Sequence, residues 1–450
     1  MSDPVSDFRK EYAAYCREHG TPDRLELMLC DLNAILRGKW LPGGRADKLA
    51  DGAVRLPLST YAPNIMGSEP PETGLGIAVG DPDGTLLPVP GSLRPVPWAE
   101  GHVAQLQVEM AEDGRKISAL SSRELLRSVL ERFRRRGLTP VIATELEFYV
   151  VKPRRAPREA PTPPERLPDA QNYDLEVLSR FAPMLAEIRA AAQSQGLVTD
   201  TLTAEFGPGQ FEINFHHTDD ALEAADTALL FRRLVRGVVA RHGYEATFMA
   251  KPYAREPGNG MHVHVSLRDS SGANVFDGGD APSETLLHAV AGVLDSMVEL
   301  QAIFAPHMNS YRRFQVNSFA PSQVNWGHDN RAAAVRLPEV SGPAARLEHR
   351  ICGADVNPYL AVAAILGGVL HGLENRLSPP PAVEEGAPEK APRLTHDWSC
   401  AVERLADSTL AENLFGKRYR DLYVAVRRDE IATLTAEISA TEYEYYLGRL

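Results

Sequence analysis

Cysteine is scarce and scattered. Cys16, Cys30, Cys352 and Cys400 are the four in 450 residues, and no two form a CxxC pair. That spacing argues against a zinc knuckle or a dithiol redox centre and fits reduced thiols in a cytoplasmic protein. Long apolar runs are also missing: the longest, Leu360 to Leu370, falls short of the roughly 20 residues that span a bilayer. Met1-Ser2-Asp3-Pro4 has neither a basic start nor an apolar core, so no signal peptide is expected. Positive charge is not in excess. Sixty acidic against 48 basic residues give a net charge of −12, which argues against nucleic-acid or anionic-membrane partners. The cluster Arg132, Arg134, Arg135 and Arg136 reads as a solvated helix face. There is no internal repeat, no GxxxxGK[ST] loop and no kinase-type glycine-rich loop, so any nucleotide must be held in another way.

What is present is an ordinary globular composition, 44% hydrophobic and 24% charged, long enough for a large domain with a smaller one. Leu25–Cys30 and Ile35–Trp40 read as a strand pair around a turn. Residues 50–100, rich in Gly and Pro, read as a small β region. Ser121 and Glu124 have capping-box spacing before Leu126, Val129, Leu130 and Phe133, which places a helix there and a domain boundary near residue 115. Residues 153–168 hold six prolines and, like 379–392, read as surface loops. Asn357-Pro358 starts a helix over Tyr359–Leu373 that is apolar on nearly every side and therefore buried. Residues 416–437 read as helical, and Ser439 with Glu442 offers a second capping box.

Four separated stretches alternate charged or metal-ligating residues with apolar ones: Glu145-Leu146-Glu147-Phe148, Gln210-Phe211-Glu212-Ile213, His262-Val263-His264-Val265 and Arg346-Leu347-Glu348-His349-Arg350. Alternate side chains of a strand point to opposite faces. One such strand alone is most often a half-exposed edge, but four suggest a single sheet with one charged face. Glu145 and Glu147, about 7 Å apart on one face, repel unless a cation lies beside them. Glu205 and Glu212 bracket a Gly-Pro-Gly turn, and Gly258 and Gly260 precede His262 closely enough to let backbone approach a ligand. Arg312, Arg313, Arg331, Arg336, Arg346 and Arg350 crowd one window, and guanidinium forks suit carboxylates and phosphates. Carboxylates with one or two histidines favour Mg²⁺ or Mn²⁺ over zinc or copper. Divalent metal with arginines is the equipment of phosphoryl transfer.

With these motifs in order, the chain resembles the glutamine synthetase family along nearly its whole length. The matching segments are Thr144–Phe148, Glu205–Glu212, Phe248-Met249-Ala250-Lys251-Pro252, Gly258–Leu267, Asn309–Arg313, Asn330–Pro338 and Arg346–Leu360. The resemblance implies an α+β fold: a β-grasp N-terminal domain over residues 1–115 and a catalytic α/β domain with a curved antiparallel sheet over 116–450. It implies ATP, L-glutamate and two or more Mg²⁺ or Mn²⁺ ions at a site formed between subunits of a ring, commonly a double-hexamer dodecamer. One metal would fall to Glu147, Glu205 and Glu212, the other to Glu145, His262 and Glu348. Gly258, Arg313, Arg331 and Arg350 fall at substrate positions, and His264, Ser266, Arg336 and Arg346 at nucleotide positions. Arg331 and Arg336 would act catalytically.

The departures from the family pattern are informative. Ammonia-using members carry a flap glutamate before an Ala-Pro pair, where this chain has Phe319 before Ala320-Pro321. They also carry an Asp-Gly-Ser-Ser motif, where this chain reads Arg55-Leu56-Pro57-Leu58-Ser59-Thr60. Pro257 replaces the asparagine that contacts glutamate, and Ser378 to Leu414 contains no tyrosine, so adenylylation is not expected. Both missing carboxylates serve ammonium, and an organic amine would gain from an apolar wall instead. The pattern is similar to the γ-glutamylamide branch, which joins polyamines, ethanolamine, alkylamines or arylamines to glutamate. Phe319 is therefore expected to contact substrate. The alternatives are an ammonia-using glutamine synthetase and a non-catalytic structural or regulatory member, but all six metal-ligand positions are filled.

Overall fold

A computed structural model describes residues 4–113, 116–165, 170–315, 319–383 and 391–450. The boundary expected near residue 115 and parts of both Pro-rich loops lie outside the described residues.

Residues 4–111 build a long helix, Pro4–His19, several short helical turns and a mixed sheet. Its strands are β1 (Arg24–Cys30), β2 (Leu36–Pro42), β3 (Arg55–Pro57), β4 (Asp83–Pro88), β5 (Arg94–Pro95) and β6 (Val103–Ala111). They run in the order β2-β1-β6-β4-β3, with β5 on β6. The expected hairpin is present, pairing Leu25 with Leu41 and Cys30 with Leu36. β6 is buried along its whole length because it lies between β1 and β4.

The second sheet holds the candidate site. Its strands are β7 (Thr139–Val151), β8 (Thr199–Ala204), β9 (Gln210–Phe215), β10 (Glu245–Thr247), β11 (Met261–Arg268), β12 (Trp326–His328), β13 (Val335–Glu339) and β14 (Arg346–His349). The order is β12-β13-β14-β11-β7-β9-β8, with β10 on the end of β7. Pairing is antiparallel except at the edge, where β12 runs parallel to β13. All four charge-alternating stretches lie in this sheet, on the adjacent strands β14, β11, β7 and β9. The register sets His262 opposite Glu145, Glu147 opposite Glu212, and His264 opposite Glu348. Directly paired residues point to the same face, so one face gathers these side chains. The opposite face carries Leu146, Phe148, Phe211, Ile213, Val263, Val265 and Leu347, all fully buried. Phe148 meets Phe231 of helix Ala221–Arg241 edge-on at 6.4 Å.

Behind that layer, helix Pro358–Asn375 is buried along nearly its whole length, as its apolar composition predicts. The Asn357 side chain caps it, accepting from the N–H groups of Tyr359 and Leu360 at 3.1 and 3.4 Å. Its amide nitrogen donates to the Asp31 and Leu32 carbonyls, tying the first sheet to the second unit. The capping box at Ser121 is only half formed: Ser121 accepts from the Glu124 N–H. The Ser121 N–H is already bonded to the Ser118 carbonyl, so the Glu124 carboxylate pairs with Arg127 instead. The box at Ser439 and Glu442 is complete. The four cysteines are free, and no helix among the described residues is long and apolar enough to cross a membrane.

Candidate active site

The charged face of the second sheet lines two adjoining cavities. The larger, about 580 Å³, contains all six expected metal ligands with Gly258, Arg313, Phe319, Arg331, Arg336 and Arg350. The other, about 490 Å³, contains His264, Ser266 and Arg346. Glu145, Thr201 and Asn214 line both. The expected substrate and nucleotide residues thus fall into separate chambers, with one exception. Arg336, expected at the nucleotide, lies among the carboxylates.

Each functional side chain has a local reason for its position. Glu145 accepts from His262 Nδ1 at 3.0 Å and His264 Nε2 at 2.9 Å. Arg346 Nε donates to His264 Nδ1 at 3.3 Å, which assigns the proton of a neutral His264 to Nε2. Glu348, with no exposed surface, accepts from Arg336 Nη1 at 2.8 Å and is paired with Arg350. Arg336 also bonds Asp329, and Arg350 Nε donates to the Arg331 carbonyl. Glu147 accepts from the Gly260 N–H at 2.7 Å and from Gln210 Nε2 at 3.3 Å. A Cβ on Gly258 would lie 2.6 Å from the Ala250 carbonyl and 2.7 Å from Arg313 Cγ, so only glycine fits beside that arginine.

The electrostatics divide the carboxylates into two kinds. Burial raises the carboxyl groups of Glu145 and Glu348, but hydrogen bonds and nearby basic groups outweigh it. His262 and His264 hold Glu145 below its ordinary range. His262, Arg350 and His264 do the same for Glu348. Glu205 and Glu212 have weaker support: His262 and Arg331 lower Glu205, and a hydrogen bond from Asn214 lowers Glu212, without offsetting burial and the neighbouring carboxylates. Burial and then Glu147 push Glu205 up to about 7. Burial and then Glu145, Glu147 and Glu205 push Glu212 up to about 9. Carboxylates so placed are short of positive charge, and the donor set of hard oxygens with a histidine fits Mg²⁺ or Mn²⁺.

Among the described residues, the side chains close enough to share an ion are Glu145, Glu212 and His262, and separately Glu145, His264 and Glu348, with ligand atoms within 4.8 Å of one another. These sets cut across the expected division, because Glu145 stands between the two histidines. Several lining residues were not foreseen. Asn214 is two residues from Glu212 and shares its face, so the alternation rule reaches it. Thr201, Thr203, Tyr173 and Phe206 carry no comparable local signal. The stretch Arg55 to Thr60 lines neither cavity of its own chain.

Two chambers joined over carboxylates, each with arginines in its lining, suit a nucleotide beside an acidic substrate. The family model described as the glutamine synthetase catalytic domain matches residues 119–446, and the chain belongs to the glutamine synthetase family. It is an ATP-dependent carbon–nitrogen ligase. It is 37% identical to gamma-glutamylputrescine synthetase PuuA of Escherichia coli K12 over 98% of this chain and 95% of that protein. It is 34% identical to glutamate–isopropylamine ligase of a Pseudomonas species over 82% of each. It is also 36% identical to gamma-glutamylethanolamide synthetase GlnA4 of Streptomyces coelicolor, over 80% of this chain and 78% of that protein. Among solved structures, apo GmaS without ligand superposes with a TM-score of 0.85 at 27% identity, covering 99% of this chain and all of that one.

Proposed function

We propose that this enzyme joins an organic amine to the γ-carboxylate of L-glutamate by way of γ-glutamyl phosphate. A carboxylate oxygen takes the γ-phosphoryl group of ATP and ADP leaves. The amine nitrogen then attacks the activated carbonyl carbon, the bond to the phosphate oxygen breaks, and the nitrogen loses a proton. Gly258, Arg313 and Arg350 hold glutamate. His264, Ser266 and Arg346 hold the nucleotide. Arg331 and Arg336 neutralise negative charge as the phosphoryl group moves, which is the main catalytic demand of such a transfer.

Glu145, Glu147, Glu205, Glu212, His262 and Glu348 would hold divalent ions. When bound, the ions draw negative charge from the phosphates. Residues 1–115 are proposed as the β-grasp domain and 116–450 as the catalytic domain, in a double-hexamer dodecamer whose sites lie between subunits.

The observation that carries the amine reading is Phe319, an exposed aromatic ring at the cavity that contains the metal-ligand cluster. The resemblance places a carboxylate there in ammonia-using members. The three relatives whose names specify a putrescine, an ethanolamide or an isopropylamine product or substrate support the same reading. The test is glutamate-dependent ADP release with ammonia and with a panel of amines. Ammonia outperforming every amine would sink the proposal.

A further inference from the structure

Phe206 follows the expected metal ligand Glu205 directly and lines the same cavity. Its ring lies 5.1 Å from that of Phe319, tilted by 52°. The two rings come from distant parts of the chain and are 36% and 67% exposed, an unusual placement for two large apolar side chains at the edge of a charged cavity.

The backbone shapes both placements. Phe319 has a φ of +59°, a backbone state that bulky residues seldom adopt and that sets the direction of its ring. Phe206 is fixed by Gln171, which is almost wholly buried. The Gln171 N–H donates to the Phe206 carbonyl at 3.0 Å. Its side-chain amide donates to the carbonyls of Glu205 and Gln210, both at 3.0 Å, and accepts from the Gly209 N–H at 2.8 Å. A Cβ on Gly207 would lie 1.9 Å from the Tyr149 hydroxyl, so the turn carrying Phe206 lies tight against β7. Pro257 and Ala320 line the same cavity. The described acidic residues lining it are Glu145, Glu147, Glu205, Glu212 and Glu348, all of them expected metal ligands.

We infer that Phe206 and Phe319 together form the wall against which the alkyl chain of the amine lies, and that this pair makes the enzyme favour longer primary alkylamines over methylamine. The inference rests on the amine-ligase reading above. Phe206 here is a specificity residue, since its ring contacts the substituent and not the reacting nitrogen.

The test is kcat/KM from glutamate-dependent ADP release along the n-alkylamine series from methylamine to butylamine. It is measured for the wild type, Phe206→Ala, Phe206→Leu and Phe319→Ala. In the wild type kcat/KM rises about 2- to 4-fold per methylene, up to the ~0.8 kcal/mol that burying one CH₂ is worth. In Phe206→Ala and Phe319→Ala the butylamine-to-methylamine ratio falls at least about 5-fold, through the KM for amine, while the KM for ATP holds. Phe206→Leu, which keeps an apolar side chain, falls between and carries the test if Phe206→Ala fails to fold. A ratio unchanged by every variant overturns the inference, as does a wild type that prefers methylamine. Absence of ADP release with every amine, ammonia and hydroxylamine would instead defeat the ligase reading itself.

Discussion

Raising the pH of the metal-free protein is predicted to destabilise it. An unfolded chain releases the protons of Glu205 and Glu212 near the ordinary value of 4.5, whereas the folded chain keeps them until about 7 and about 9. Between those limits the folded state binds more protons, so stability falls as pH rises. The full shift of Glu205 corresponds to ~3 kcal/mol at about 1.4 kcal/mol per pH unit. Glu212 adds to this at alkaline pH, by less than its own shift suggests, because part of that shift is the charge of Glu205. Glu145 and Glu348 have the opposite sign: their carboxyls are held low, so their stabilisation is complete above 4.5 and is lost only in acid. They leave the neutral-to-alkaline window unchanged.

On a scale of roughly 2 °C per kcal/mol, the Tm in EDTA should drop by about 5 °C or more between pH 5.5 and 9. Saturating Mg²⁺ or Mn²⁺ should remove most of that drop, and titration calorimetry in paired buffers should show protons released on binding. A metal-free Tm that is flat or rises across this range would refute the reasoning, as would metal binding without proton release.

Three substitutions test other parts of the account. Arg336→Ala removes one of two guanidinium partners from the fully buried Glu348 and should cost about 3 kcal/mol in denaturant unfolding. It should also lower kcat by ~100-fold in steady-state kinetics. Phe319→Glu returns an anion to the ammonium position and should raise the ammonia-to-alkylamine ratio of kcat/KM by roughly 10-fold. Asn357→Ala loses a helix cap and the bonds to Asp31 and Leu32, so it should cost ~2 kcal/mol in chemical unfolding with little change in KM for glutamate.

The charged face of the second sheet was legible in the sequence because alternation is a local property. Glu145, Glu147, Glu212, His262, His264 and Glu348 each declare their face within three or four residues. What alternation does not encode is which strands are neighbours. The order β14-β11-β7-β9 places Glu145 opposite His262 and beside His264, and that is why the close ligand sets differ from the expected division. The same limit hides the contact of Phe206 with Phe319, two rings separated by more than a hundred residues. The half-formed box at Ser121 fails for a local reason that its spacing omits, since the Ser118 carbonyl already holds the N–H that Glu124 would have taken. The buried helix after Asn357 was readable to within two residues at its ends, because an apolar surface on nearly all sides calls for burial.

The most direct measurement is the initial rate of ADP release with saturating ATP, Mg²⁺ and L-glutamate, comparing ammonia with putrescine, ethanolamine, isopropylamine and n-butylamine. At least one organic amine should exceed ammonia in kcat/KM by about tenfold or more, with the matching γ-glutamylamide as product by mass spectrometry. Ammonia as the best nucleophile, with glutamine as the product, would contradict the account.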